Sequence, residues 1–275
     1  MTLSRGARAV LLALLVLGLV FLYTPLLIVV INSFNTSQSF AFPPKGLTLS
    51  WWSVAAHDSE AISAFVRSIA LASVATAVSL VMGTMLSLSI DRYRWFGRES
   101  VSFLVVLPIA LPGIVTGIAI AASVRTVLDP YFGISFGWLT LILGHTTFTI
   151  VVVYNNALAR LRRMNGSIEQ ASVDLGADSF QTFRHVTFPA LRGALVAGAL
   201  LAFGLSFDEI IVTRFVAGPG IETLPLWIFN SLFRPTQGPV VNVVATVVIL
   251  LSIIPIWASQ KLSKEEDAGR GSGLM

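Results

Sequence analysis

The chain has 275 residues, of which 55% are hydrophobic and only 12% charged, with a mean hydropathy of +0.82. Soluble domains carry about 25% charged residues, so too few remain here to cover a water-facing surface, and the class is integral membrane. With no cysteine there is no disulfide framework or thiolate metal site, and the scattered His57, His145 and His185 suggest no metal centre.

A helix needs roughly 20 apolar residues to cross the hydrocarbon core. Six segments qualify, predicting an all-α membrane domain over 1–263 with spans at about 9–31, 64–90, 101–124, 138–158, 193–213 and 239–259. The first follows Arg5 and Arg8 and stays apolar to Ile31, beyond the core of a signal peptide, with no small-residue cleavage site; it is expected to be a retained anchor. Residues 32–63 form the longer loop on the opposite side, with Pro43, Pro44, His57 and the interfacial pair Trp51-Trp52. Asn35-Thr36-Ser37 there matches a glycosylation acceptor, a triplet common by chance.

The third span contains Pro108, Pro112, Gly113 and Gly117. Proline removes backbone donors, so this helix should kink or open locally, while the Gly113/Gly117 pair permits close helix approach. Close packing and a bent, pathway-lining helix are both open readings. The fourth span carries His145, either a packing residue or a part of a transport path, and ends near Asn155 and Asn156.

The loop 159–192 is polar in an otherwise oily chain. Ile168, Ala171, Ser172 and Leu175 fall at helical spacing; Gly176 suits the position after a helix end, where positive φ is easy; Asp178 or Ser179 can cap a second helix. Phe180, Phe183 and Val186 give that helix an apolar stripe, and Pro189 is expected to break the chain before span five. Two readings fit this helix–turn–helix: a hairpin lying on headgroups, or an element docking into a protein partner. Interfacial helices are usually richer in Lys and Arg, whereas here acids interleave with few basic residues. The fifth span ends with Asp208 and Glu209, placed late in the helix and either paired with Arg67, Arg125 or Arg214 or facing the path of a cationic substrate. Gly204-Leu205-Ser206, with His145 elsewhere, could also suggest an intramembrane serine protease, but no oxyanion constellation accompanies it. The tail 264–275 is charged and then Gly/Ser-rich, and is expected to be disordered.

Six spans place both termini on one side. The loops there hold Arg5, Arg8, Arg92, Arg94, Arg98, Arg160, Arg162, Arg163, Arg184, Arg192, Lys261, Lys264 and Arg270, most of the 18 basic residues, so that side is expected to be cytoplasmic. The pI near 9.8 is explained this way, without nucleic acid.

The loop also carries a motif. The chain resembles the permease subunits of bacterial ABC importers, whose cytoplasmic signature is Glu-Ala-Ala, three residues, Gly, nine residues, an aliphatic residue, one more, then Leu-Pro. Here the same spacing reads Gln170-Ala171-Ser172, then Gly176, then Val186, Thr187 and Phe188-Pro189. Gln170 stands for the Glu, Ser172 for the second Ala and Phe188 for Leu, while Glu169 lies one position early and about 100° around the helix. A second stretch, "LSFDEIIVTRFVAGPGIETLPLWIFNSL" at 205–232, resembles the spermidine/putrescine-type group: Asp208-Glu209, Phe215-Val216-Ala217-Gly218-Pro219 and Leu224-Pro225-Leu226 stand where that group has its acidic pair, its Phe-Val-x-Gly-Pro segment and its Leu-Pro-Leu turn. "VVINSFN" at 29–35 and "DRYRWFGR" at 91–98 add to it.

The resemblance implies a non-enzymatic inner-membrane permease in a type I importer, with a second, usually different permease, two ATPase subunits and an external substrate-binding protein, surrounded by lipid. It implies uptake of a small, amine-containing solute such as a polyamine. ATP would be bound by the partner subunits, since no GxxxxGK[ST] loop occurs in this chain; the chain itself is expected to hold no cofactor or metal. Force would be transmitted through Glu169, Gln170, Ala171, Asp174, Gly176, Ala177, Phe180, Phe183 and Pro189, and Asp208, Glu209, His145 and Phe207 are the candidates for the pathway. A secondary transporter or channel uncoupled from ATP is the alternative.

Overall fold

The structure, a computed structural model, describes residues 4–38, 42–234 and 236–253. It is helical throughout: among the described residues the only β-type pairing is an isolated bridge between Asn35 and Leu47. Contacts divide the chain into one unit of Met1–Ile62 with Trp227–Met275, and a second of Ser63–Leu226.

In the first unit, α1 (Arg5–Asn32) is capped by Ser4, whose hydroxyl accepts from the Ala7 N–H. Its most apolar stretch has no buried residue, as for a helix that expects lipid on all sides. The following loop is organised by buried Asn35, which accepts from the Ser37 and Lys45 N–H groups at 3.0 and 3.3 Å and donates to Asn32 at 3.2 Å. The acceptor triplet is therefore closed to a glycan. Trp51 donates its indole N–H to the Asn35 carbonyl, and Phe34 stacks on Trp52. Short helix α2 (Ser50–His57) leads to α3 (Ser59–Arg92), whose Glu60 pairs with Arg234 beyond α12 (Leu224–Ser231). The helix Gly238–Ile253, α13, covers the described part of the sixth expected span; the rest of that span and the tail lie outside the described residues.

The second unit carries the core and both candidate sites. The third expected span is not one helix. It is α4 (Arg98–Ala110), an extended break at Leu111-Pro112, then α5 (Gly113–Ser123), a π-helical turn Val124–Leu128 and α6 (Asp129–Phe132). Pro108 is accommodated within α4, and the chain opens at Pro112. Gly117 permits the contact that follows: a Cβ there would lie 2.8 Å from the Phe215 ring, on the helix α11 (Ile211–Val216) that packs on α5.

The two π-helical turns share one cause. Val124–Leu128 precedes Asp129-Pro130, and Phe183–Thr187 precedes Phe188-Pro189. A proline two residues into the next turn has no N–H to give and its ring crowds the carbonyl four residues back; one wide turn removes both conflicts without breaking the rod. The expected break at Pro189 is thus corrected: helix runs unbroken from Ser179 through α9 (Ser179–Thr182) and the π turn into α10 (Phe188–Phe207). The fifth span begins earlier than 193 and ends at Phe207, before 213.

Among the described residues five helices are long and apolar enough to cross a membrane: Arg5–Asn32, Ser59–Arg92, Gly113–Phe132, Trp138–Leu161 (α7) and Ser179–Phe207. α7 is the most buried and packs chiefly on α10. Leu71, Leu141, Phe148, Val212 and Val216 form one core, and Ile90, Tyr154 and Leu158 another. Buried hydroxyls bridge the helices: Ser79 to Thr149 at 2.6 Å, Ser102 to Tyr154 at 2.7 Å, and Thr140 to the Val216 carbonyl at 2.9 Å. In a low-dielectric setting such bonds fix which helix faces meet.

Candidate functional site: a docking hairpin and an acidic helix break

After α7 the chain forms α8 (Gly166–Asp174), capped by Asn165, which accepts from the Ser167 N–H at 3.2 Å. α8 ends on Gly176 at φ +90°, with the Gly176 N–H bonded to the Val173 carbonyl and the Ala177 N–H to that of Ser172. This paired closure satisfies the last carbonyls and turns the chain sharply. Asp178 then caps α9: its carboxylate accepts from the Gln181 N–H at 2.8 Å, and the Gln181 side-chain oxygen accepts from the Asp178 N–H at 3.0 Å. Every turn of the hairpin is therefore closed by its own residues.

The hairpin has two faces. Inward, the Glu169 carboxylate pairs with Arg92 at the end of α3 and accepts from the Thr187 hydroxyl at 2.6 Å, while Arg92 also donates to Thr187 at 3.0 Å. Ser172, at the position of the family's second Ala, lies 3.2 Å from the Thr182 hydroxyl and ties α8 to α9. Phe183 and Val186 are half-buried, Phe183 against the Phe188 ring, and Pro189 starts α10. Outward, Gln170, Ala171 and Asp174 are exposed with Ile168, Val173, Leu175 (90% exposed) and Phe180 (68%), beside half-buried Ala177. The expected Phe180–Phe183–Val186 stripe is split: Phe180 points out, the other two pack within. Nothing in the sequence marked Arg92 as the partner of Glu169, 77 residues away.

The second constellation lies where α10 stops. Asp208 is its C-cap, so the acidic pair sits in the break before α11, not inside helix five as expected. Glu209 Oε1 accepts from the Val212 N–H at 2.8 Å, occupying the N-terminal donors of α11. Among the described residues neither acid is ion-paired. Arg67 donates to the Gly220 carbonyl and Arg125 lies over the Phe136 ring, so these two arginines are not partners of the acids, as had been one reading. Asp208 is exposed, and next to it Phe207 meets Phe65 edge-on at 6.3 Å and stacks with Phe203 at 6.0 Å.

His145 is fully buried and joins three helices: one ring nitrogen is 2.8 Å from the Ser206 hydroxyl and the other 2.9 Å from that of Thr213. Thr213 spends its proton on the Glu209 carbonyl, so it accepts from His145 Nε2–H. Ser206 and His145 are thus neighbours, but both are buried and among the described residues no carboxylate is hydrogen-bonded to His145 to complete a triad. Among the described residues no group of His, Cys, Asp and Glu could hold a metal.

Apolar rods bridged by hydroxyls define a helical membrane protein, with a self-capped hairpin and an acidic pair at a helix break as its polar features. The chain matches, over residues 75–265, the model of the family described as "Binding-protein-dependent transport system inner membrane component", and it belongs to that family. It is 32% identical to the "Spermidine/putrescine transport system permease protein PotC" of Shigella flexneri over 92% of this chain and 94% of that one. It is 33% identical to the "Putrescine transport system permease protein PotI" of Escherichia coli (strain K12), covering 86% and 84%. In fold it is similar to a bacterial ABC transporter involved in alginate import, with a TM-score of 0.70 at 17% identity over 96% of this chain and 99% of that one. It is similar too to a bacterial alginate ABC transporter solved with an alginate-bound periplasmic protein (TM-score 0.72, 13% identity, 94% and 93% covered). The chain is a multi-pass inner-membrane permease subunit of an ABC importer, close to the polyamine permeases, and a transport component, not an enzyme.

Proposed function

We propose that the chain forms half of the translocation pathway of an importer for a small amine such as a polyamine. It crosses the membrane six times with both termini cytoplasmic, pairs with a second, different permease, receives solute from an external binding protein and is driven by two ATPase subunits. The observation that carries the coupling role is the outer face of the α8–α9 hairpin. Leu175 and Phe180 protrude from a turn whose backbone groups are already satisfied, so the loop exposes apolar side chains without needing a partner to fold. Exposed apolar knobs in a polar frame fit a protein groove. Gln170 makes the polar contact to the ATPase, because Glu169 is already occupied by Arg92 and Thr187.

Asp208 with Phe207, Phe203 and Phe65 supplies what an ammonium group requires: one carboxylate and aromatic faces. His145 and Glu209 hold that break in shape. Neutral or anionic cargo would gain nothing from this arrangement, which is why the amine reading is preferred.

The test is reconstitution with the cognate ATPase and binding protein in proteoliposomes. Leu175→Asp/Phe180→Asp is expected to release the ATPase subunits and to abolish ATP-driven uptake while the permease remains folded. Uptake that proceeds without ATP, or survives in this variant, would favour a secondary transporter or channel.

A further inference from the structure

The α3–α4 junction carries a feature that neither the docking hairpin nor the pathway uses. Arg94, Arg98 and Arg162 line one open cavity of about 800 Å³, together with Trp95, Phe96 and Glu99. Arg92 is bound to Glu169 and Thr187, and Arg160 donates to the Ala190 carbonyl, but among the described residues Arg94, Arg98 and Arg162 have no ion pair or side-chain hydrogen bond. Three arginines and one acid line this single space. Tyr93, Trp95 and Phe96, in the same short stretch, are exposed beside it, Phe96 completely. Exposed aromatic rings at the ends of two membrane helices are stable at the headgroup level and costly in water.

We propose that this cavity is a headgroup site for an anionic phospholipid of the leaflet on the positively charged side. The arginine forks take the phosphate oxygens, in the geometry that favours Arg over Lys for bidentate recognition. Trp95 and Phe96 lie against the glycerol and upper acyl region, and Glu99 bars a second phosphate. Basic pockets between membrane helices on this side are where lipid phosphates are held. The aromatic rim favours lipid over an acidic protein surface, which would have no use for bare rings at the membrane boundary. The proposal rests on the reading of the basic loops as cytoplasmic.

The full chain in nanodiscs is probed with brominated phosphatidylglycerol and brominated phosphatidylcholine at equal mole fraction, and the Trp95 contribution is taken as the difference from W95F. Quenching by the anionic lipid is expected to exceed that by the zwitterionic one several-fold. Each arginine lost should lower the preference by about fivefold, so Arg162→Gln weakens it, R94A/R98A/R162A abolishes it and R94K/R98K/R162K retains part of it. Equal quenching by the two lipids, or an excess that survives the triple Ala variant, overturns the proposal. So does erasure of the excess by millimolar inorganic phosphate, which would make this a soluble-anion site, or by the bound ATPase subunits, which would assign the arginines to a protein interface. Quenching is read without ATP or transport, so its failure and that of the importer reading are distinguishable.

Discussion

At the residue scale, two positions show how a side chain's role depends on what surrounds it. In the sequence His145 reads more readily as a packing residue than as part of a pathway. Its burial and its two hydroxyl partners make it a lock joining α7 to α10 and α11. His145→Ala strands the Ser206 hydroxyl without its acceptor, removes the donor to Thr213 and leaves a void, and is expected to cost about 2 kcal/mol. A lowered thermal midpoint in detergent, measured by intrinsic fluorescence, checks it; an unchanged midpoint would return His145 to the pathway. Gly176 is the opposite case. A Cβ there meets nothing within 4 Å, so Gly176→Ala costs only the strain of its left-handed φ of +90°, about 1 kcal/mol. Uptake by this variant should fall modestly with assembly intact, whereas a loss as complete as for Leu175→Asp/Phe180→Asp would mean the partner itself requires a bare backbone at the turn.

At the element scale, the hairpin is held by more than its caps. Arg92 ends α3, Glu169 sits in the first turn of α8 and Thr187 closes the π turn before α10, so one three-way contact fastens the α8–α9 hairpin to α3 and α10. On the coupling role proposed above, a force applied to α8 would reach α3 and α10 through this contact. The pair is partly exposed, with side-chain accessibilities of 31% and 21%, so its stabilising worth is about 1 kcal/mol. Arg92→Ala or Glu169→Gln is therefore expected to leave the complex assembled but to lower the ratio of solute imported to ATP hydrolysed. The exchange R92E/E169R should recover part of that ratio; equal ratios in all three variants would reduce the contact to packing. The caps at Asp178 and Gly176 and the helical spacing of α8 were legible, because they depend on neighbours a few residues apart. The Arg92 contact and the continuity of helix through Pro189 were not. The first joins residues 77 apart, and the second depends on a π turn that residue type alone does not announce.

At the scale of the whole molecule, the pathway role proposed for Asp208 predicts a difference between cargo classes. Asp208→Asn is expected to reduce uptake of a diamine about tenfold, leaving binding-protein affinity and complex yield unchanged; transport assays with matched cationic and neutral solutes check it. Equal uptake of the amine would remove Asp208 from the path. Composition and hydropathy by themselves determined the membrane class and the helical architecture. Those properties follow from the requirement that every backbone group in lipid be satisfied within its own segment. Motif spacing determined the family, since a docking loop must repeat its turns at fixed intervals. Tertiary structure decided the rest: that Glu169 turns inward and leaves Gln170 exposed, that Glu209 caps a helix while Asp208 stays open, and that arginines 68 residues apart in the chain line one cavity. Each of these depends on which faces of distant helices meet, and packing settles that after the local pattern is spent.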